Sequence, residues 1–542
     1  MRLTEIESNT IGADGEGNCS RVFDSQISEE RMKSYFIIVR IEFALLTMLM
    51  SSWAWAEYLT IYSPPGWDET TRSGYQSTSL EREPYSSVGN GVAVGNGTKY
   101  LDGTRLGKRA VRWDGFGNFS ELGNLGTNAD GTAESSARVI NSAGTAVGYA
   151  SKTVLGVNLG LRAVRWDASG TAAFEFGNLG TDSSGVTGTN AYDISDAGVA
   201  VGEAGKYAGN TYLGFRAVRW DVSGAATELG NLGTSGIGFT QAMAGAVNSA
   251  GTAVGDAHKY VAGIDRGLRA VRWDASGTAA TELDNLGTKS NGSTTSIAYS
   301  VNDAGVTVGY AEKYTADGLF WGERAVRWDA SGSAATELGN LGTYNGGITN
   351  GRAQAINLAG TAVGWGEKYP DPNSSISKGI RAIRWDASGI AATELEIINT
   401  DGNGVTTSVA YAINSGGFIA GAASKYFGTT FAVGHAVVWK PDARVIDLNT
   451  VIDPNNGWTL NEAWAISDTN WVSGWGTFDP DGAGPTKAYS RAFLVDLKAI
   501  PEPASLSVLA LVSLSLLWCS RGSRRGRSKK AEDSWWPLIW RG

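Results

Sequence analysis

Cysteine is nearly absent from this chain: Cys19 and Cys519 are its two, and both lie outside the region where the sequence repeats. Disulfides therefore cannot hold the body together, and cysteine-rich metal centres are excluded. Histidine is as scarce. His258 and His435 fall at different phases of different repeats, which argues against Ser-His-Asp or Cys-His catalysis and against a histidine metal site. Proline is limited to 12 residues, and no stretch of the body sustains a 3.6-residue apolar period, so long amphipathic helices are not expected there. A surplus of positive charge is missing too. Net charge is −9, and six of the 45 basic residues crowd into Arg521–Lys530, leaving an acidic body unsuited to nucleic acid. No glycine-rich phosphate loop precedes a helix, so no cofactor is expected.

What is abundant is glycine, with 73 residues, and aromatic side chains, with 20 Trp, 19 Tyr and 15 Phe. The glycines recur at fixed places. Arg-Ala-Val-Arg-Trp-Asp begins at Arg109, Arg162, Arg216, Arg269 and Arg324, and returns as Arg-Ala-Ile-Arg-Trp-Asp at Arg381. Weaker echoes start at His435 and Arg491, and successive starts are 53, 54, 53, 55, 57, 54 and 56 residues apart. Such a period means one supersecondary unit copied in tandem.

Each copy has four short apolar segments. The first is Thr-Glu-Leu-Gly-Asn-Leu-Gly, as at Thr227–Gly233; the second and third flank a turn, as in Ala137–Val147; the fourth is the Trp segment. Short β-branched and aromatic runs between Gly, Asn and Asp clusters read as strands. Asn141-Ser142-Ala143-Gly144 and its copies at Asn248, Asn302, Asn357 and Asn414 predict hairpin turns, as do Asp167-Ala168-Ser169-Gly170 and its copies. These loops carry too few carboxylates for calcium, and no metal is expected. Trp113, Trp166, Trp220, Trp273, Trp328, Trp385 and Trp439 share one phase, which predicts packing between units. Lysines such as Lys152 and glutamates such as Glu175 recur in step and are expected to pair between strands.

With Tyr58–Tyr62 counted as a degenerate first strand, eight four-stranded units fit between Tyr58 and Leu497. The expected fold is all-β: a closed propeller of about eight blades over residues 57–498, seven if the first copy is too degraded, with a single apolar helix at each end. An open β-solenoid is the alternative, though its rungs are normally shorter.

The ends carry addresses. Residues 1–31 are polar and patternless and read as an upstream extension, with Met32 the expected start. Residues 32–56 have the layout of a signal peptide, with Ala54 and Ala56 before a cleavage point at Glu57. At the other end Pro501-Glu502-Pro503 precedes an apolar run at 504–519 and the basic residues Arg521, Arg524, Arg525 and Arg527. That run would make a short membrane helix held by its flanking charges. The 499–530 segment resembles the PEP-CTERM sorting signal of Gram-negative envelope proteins. The resemblance implies an exosortase partner, signal peptidase, transient anchoring in the inner membrane, and delivery to the surface. The chain departs from that pattern by continuing through 531–542, with Trp535, Trp536 and Trp540.

The repeats in turn resemble the HAF family of extracellular repeat proteins, on His435-Ala436-Val437, Arg491-Ala492-Phe493, Leu122–Gly126 and Ala410–Gly421. That resemblance implies secretion and a repeat fold, and brings no activity with it.

Function on a repeat fold is expected where copies differ: the Pro64–Tyr85 insertion, the Trp365–Ser377 loop with Pro370 and Pro372, and the last unit, whose Trp458, Trp464, Trp471 and Trp475 lie off the shared phase. Exposed indoles stack on sugar rings, so these four are candidate polysaccharide contacts. The leading expectation is an exported, non-enzymatic repeat protein at the cell surface or in extracellular polysaccharide. A propeller glycosidase or polysaccharide lyase is the alternative, although no pair of carboxylates stands out. An ice- or surface-adsorbing protein is a third reading, suggested by the Gly-Thr-Ala strands.

Overall fold

The computed structural model describes residues 58–68, 73–76, 87–371, 375–482, 484 and 487–499. The expected signal peptide with Ala54, Ala56 and Glu57, the Pro501-Glu502-Pro503 motif, the expected helix at 504–519 and the basic cluster lie outside the described residues. Among the described residues no helix is long and apolar enough to cross a membrane.

Eight antiparallel sheets form a ring, one per repeat, so the fold is an eight-bladed β-propeller. Blade 3 is representative, running outward through Thr189–Ile194, Ala200–Ala208, Thr211–Trp220 and Ala226–Glu228. Innermost strands neighbour one another around the axis, from Ser135–Ile140 in blade 2 to Trp458–Ile466 in blade 8. The near-constant Val-Gly of the second strand has a steric origin. A Cβ on Gly202 would sit 1.9 Å from the Asn190 carbonyl oxygen, because the innermost strand presses against that backbone.

The sheets begin one segment later than the order of the repeat suggests. The Asp167–Gly170 turn is a tight hairpin (Gly170 N to Asp167 O, 3.2 Å) that folds the next Thr-Glu-Leu-type segment back onto its Trp strand. Each such segment is therefore the outer strand of the preceding blade. The segment at Tyr58–Tyr62 accordingly completes the last blade: Tyr62 and Leu494 exchange N–H···O bonds of 2.9 and 2.8 Å. The two ends of the repeat region close the ring in one sheet, which covers a sheet edge.

Blades are joined by a repeated set of contacts. The phase-sharing tryptophans are buried, and from Trp166 to Trp439 each indole donates backwards, as Trp273 Nε1 does to the Gly230 carbonyl at 2.9 Å. The first Arg of the hexapeptide reaches forward. Arg216 is 4 % exposed and donates to the carbonyls of Leu213 (2.6 Å), Thr240 (2.7 Å) and Gly238 (3.1 Å), the last two in the link to blade 4. Its Nε faces Glu228 at 3.4 Å, and Lys206 pairs with the same carboxylate at 2.7 Å. Lys-Glu pairing thus occurs as expected, with a buried Arg as third member. Blade 7 keeps the device with other residues: His435 lies 2.7 Å from Asp447 and Lys425 lies 4.0 Å from it. The second Arg docks on the next blade's turn, as Arg219 does on the Asp274 carbonyl (2.9 Å) and the Gly277 carbonyl (3.0 Å). Around the axis, Asn248, Asn302, Asn357 and Asn414 each donate to the following blade's turn at 2.9–3.1 Å.

Candidate functional site

Against the repeated frame, two of the positions that vary from blade to blade lie close to the axis. In every innermost strand from blade 2 to blade 8 the pairing slips by one residue after the conserved Ala. A β-bulge of this kind turns one side chain out of the regular alternation, and bulges are common beside binding sites. The bulged residues are Arg138, Tyr192, Gly245, Tyr299, Gln354, Tyr411 and Trp464. The second variable position follows the Val-Gly of the neighbouring strand. It reads Asn96, Tyr149, Glu203, Asp256, Tyr310, Trp365, Ala422 and Trp475 around the ring.

These side chains form an interlocked axial layer. The Arg138 guanidinium lies over the rings of Tyr149 (5.3 Å) and Tyr192 (4.9 Å). Tyr192 donates its hydroxyl to Glu203 Oε1 at 2.7 Å, and Asn190 Nδ2 donates to the same oxygen at 3.3 Å. Arg352 grips Glu323 through Nε (2.6 Å) and Nη2 (2.7 Å), donates to the Tyr299 hydroxyl at 3.1 Å, and stacks on Tyr310 at 4.2 Å. In blade 8 Trp464 donates to Glu462 at 2.7 Å and lies 6.4 Å from Trp475. Burial pushes the Glu203 carboxyl up from its ordinary value, against the lowering effect of its Tyr192 and Asn190 bonds. Burial pushes Asp256 up to about 6, with His258 drawing it down and Glu203 raising it further. At the mouth, a cavity of about 400 Å³ is lined by residues including Asp193, Asp196, Asp303 and Asp468, with no Lys or Arg among its lining. Burial pushes Asp193 up to about 7, although the backbone N–H groups of Val247 and Ile194 donate to it.

The four tryptophans singled out in the last unit are divided by the structure. Trp464 and Trp475 occupy the axial layer. Trp471 packs at the seam between blades 8 and 1, 5.9 Å from Tyr62 and against Gly91 and Gly115. Trp458 packs on Phe478 (5.3 Å) and under the Arg491 guanidinium (5.2 Å). Trp365, at the start of its divergent loop, is axial and faces Arg352 at 5.8 Å; Pro370 is exposed, and Pro372 is outside the described residues. The Pro64–Tyr85 insertion adds a hairpin, Trp67–Asp68 with Ser73–Gln76, to the far end of the second strand of blade 1. There it takes the place that the preceding blade's Leu segment holds elsewhere, as in the Leu125–Lys152 bridge.

Glu203, Asp256, Tyr299, Tyr310 and Arg352 are axial residues that reasoning on composition and motifs misses. For Glu203, Asp256 and Tyr310 the available signal was the unmatched column after Val-Gly, set between columns that barely change; Tyr299 and Arg352 lie in the innermost strands, outside that column.

An eight-bladed propeller with a variable axial layer is therefore the class of protein that fold and site define. No family model matches the chain, and no curated protein matches it either. Among solved structures it is similar to puromycin hydrolase, at 12% identity with a TM-score of 0.36, over 78% of this chain and 62% of that one. It is also similar to the GH74 xyloglucanase from Xanthomonas campestris, at 9% identity and a TM-score of 0.34, over 80% of this chain and 70% of that one. A third is the polysaccharide lyase Uly1, at 7% identity and a TM-score of 0.35, over 72% and 98% of the two chains. None of these likenesses bears on the chemistry of the axis.

Proposed function

We propose that this chain is an exported, non-enzymatic binding propeller that grips extracellular polysaccharide with its axial layer. One observation carries the reading: next to the near-constant Val-Gly and the conserved Ala of each repeat, the positions near the axis change from blade to blade. There the chain places Tyr149, Tyr192, Tyr299, Tyr310, Trp365, Trp464 and Trp475 beside carboxylates and arginines. Aromatic faces stack on the apolar faces of sugar rings, while charged and amide groups bond their hydroxyls. The address is supported by the signal-peptide layout and by the order of Pro501-Glu502-Pro503, apolar run and basic cluster.

Co-sedimentation of the full-length protein with polysaccharide from the producing cells tests the binding. Trp365→Ala and Trp475→Ala should each weaken it about tenfold, near 1.4 kcal/mol. Trp458→Ala and Trp471→Ala, which alter packing away from the axis, should not. Undiminished binding in both axial variants would overturn the proposal. A second reading, glycan turnover, draws on the neighbouring buried carboxylates Glu203 and Asp256; release of reducing ends or unsaturated sugars by the wild type would favour it.

A further inference from the structure

The axial layer has a gap. Of the seven bulge positions, six carry a side chain larger than alanine, and blade 4 carries Gly245. A Cβ built there would find only Met243 Cε and the Val254 carbonyl oxygen, each at 4.0 Å, so the place is open. Its backbone is not in the left-handed region, so glycine is not required for conformation. Two carboxylates stand on the second strands of blades 4 and 3, in the same axial layer. Asp256 stands opposite Met243 on the adjoining strand, and Glu203 comes from blade 3, close enough to raise Asp256 by its charge.

In its column, shared with the carboxylate of Glu203, Asp256 is the one aspartate. It is 8 % exposed, yet its carboxylate accepts no hydrogen bond and makes no ion pair among the described residues. A carboxylate this buried is normally bonded or paired. Beside Glu203, Asn190 spends its Nδ2 on that carboxylate while its buried Oδ1 is without a donor. These two unmet groups, the Asp256 carboxylate and Asn190 Oδ1, are acceptors, and the basic group acting on Asp256 is His258, two residues along the same strand. A ligand that completes them must bring hydrogen-bond donors, and preferably positive charge.

We propose that the gap at Gly245, in the axial layer of Glu203 and Asp256, seats a primary ammonium group, that of a de-N-acetylated amino-sugar chain. An ammonium offers three donors and one charge in a volume that an absent side chain leaves free. Tyr192 on one flank and Tyr299 on the other supply faces for the attached sugar ring. The inference rests on the binding function proposed above and specifies its ligand.

Calorimetric titration of the full-length protein at pH 7.5 with a glucosamine tetramer, an N-acetylglucosamine tetramer and spermidine tests it. The glucosamine tetramer should bind at least tenfold more tightly than the acetylated one. Spermidine should bind more weakly than the glucosamine tetramer; equal affinity would remove the sugar from the assignment. Gly245→Tyr, which restores the residue found at three other bulges, should fold normally and abolish binding. Asp256→Asn should also abolish binding while raising Tm, because it removes a buried charge with no partner. A structural Asp256 would lower Tm when replaced. Indifference to acetylation, or full binding by Gly245→Tyr, would overturn the proposal. If polysaccharide co-sedimentation then persisted and still depended on Trp365, the binding function would stand without this ligand; loss of both would remove both.

Discussion

Arg216 and Arg444 are the same residue type with opposite worth. The Arg216 guanidinium bonds three backbone carbonyls and faces Glu228 from a buried position, and two of those carbonyls belong to the link that starts the next blade. Arg444 pairs with Asp442 in solvent, with side chains 72% and 48% exposed. Removing the buried one strands acceptors that water cannot reach. Arg216→Met should therefore destabilise the protein by about 2–3 kcal/mol in urea unfolding. Arg444→Ala should leave the curve where it is, since exposed pairs contribute little. Equal effects would show that the forward clamp is not what joins blades. The tryptophans follow the same logic: their repeated phase announces packing, but the indole's partner, a carbonyl on the preceding blade, is invisible until the ring is built. Trp113 shows the dependence on neighbours. It lies at the seam with blade 8, where the preceding outer segment runs through Pro64 and Pro65, and its Nε1 finds no partner among the described residues.

At the level of strands, the decisive element is the short one at Leu59–Tyr62. Hairpin signals at Asn141–Gly144 and Asp167–Gly170 were legible because turn geometry is local and asks for Gly at fixed offsets. Which blade owns Tyr62 was not, because that pairing joins residues from opposite ends of the chain. Tyr62→Pro removes the N–H that bonds Leu494 and should open the last blade. Amide exchange across Tyr489–Asp496 should then accelerate at least tenfold relative to Ala253–Val261 on the far side of the ring. Uniform exchange in both strands would mean that closure does not depend on this strand. The bulges belong to this scale as well. A one-residue slip after a conserved Ala leaves no mark in a hydrophobicity pattern, yet it decides that Tyr192 and Trp464 join the axial layer.

The whole molecule gathers buried carboxylates at its centre, and that gives its stability a pH signature. The Asp256 carboxyl titrates near 6 in the folded protein and near its ordinary value of about 3.9 when unfolded. Between those values the folded state holds a proton that the unfolded state has lost. Its contribution is therefore complete at low pH and disappears as pH rises through about 4 to 6. Asp256→Asn removes this loss, so its advantage over wild type should be small at pH 4, grow to pH 6, and level off at up to about 3 kcal/mol. Paired thermal melts from pH 4 to 8 would measure it. A constant offset would mean that Asp256 is not the group titrating.

The repeat period, the turn chemistry and the near absence of cysteine and histidine determined a ring of β-blades without disulfides, since each of these acts within one copy. A unit with apolar residues on both faces has to bury them against copies of itself. The tertiary structure decided the rest: the outer strand's allegiance to the preceding blade, the strand that closes the ring, and the split of the four late tryptophans between axis and seam. It also brought Glu203 and Asp256, 53 residues apart in sequence, close enough for their charges to interact. Those relations depend on distances across the ring, and such distances exist only after separate copies have packed around a common axis.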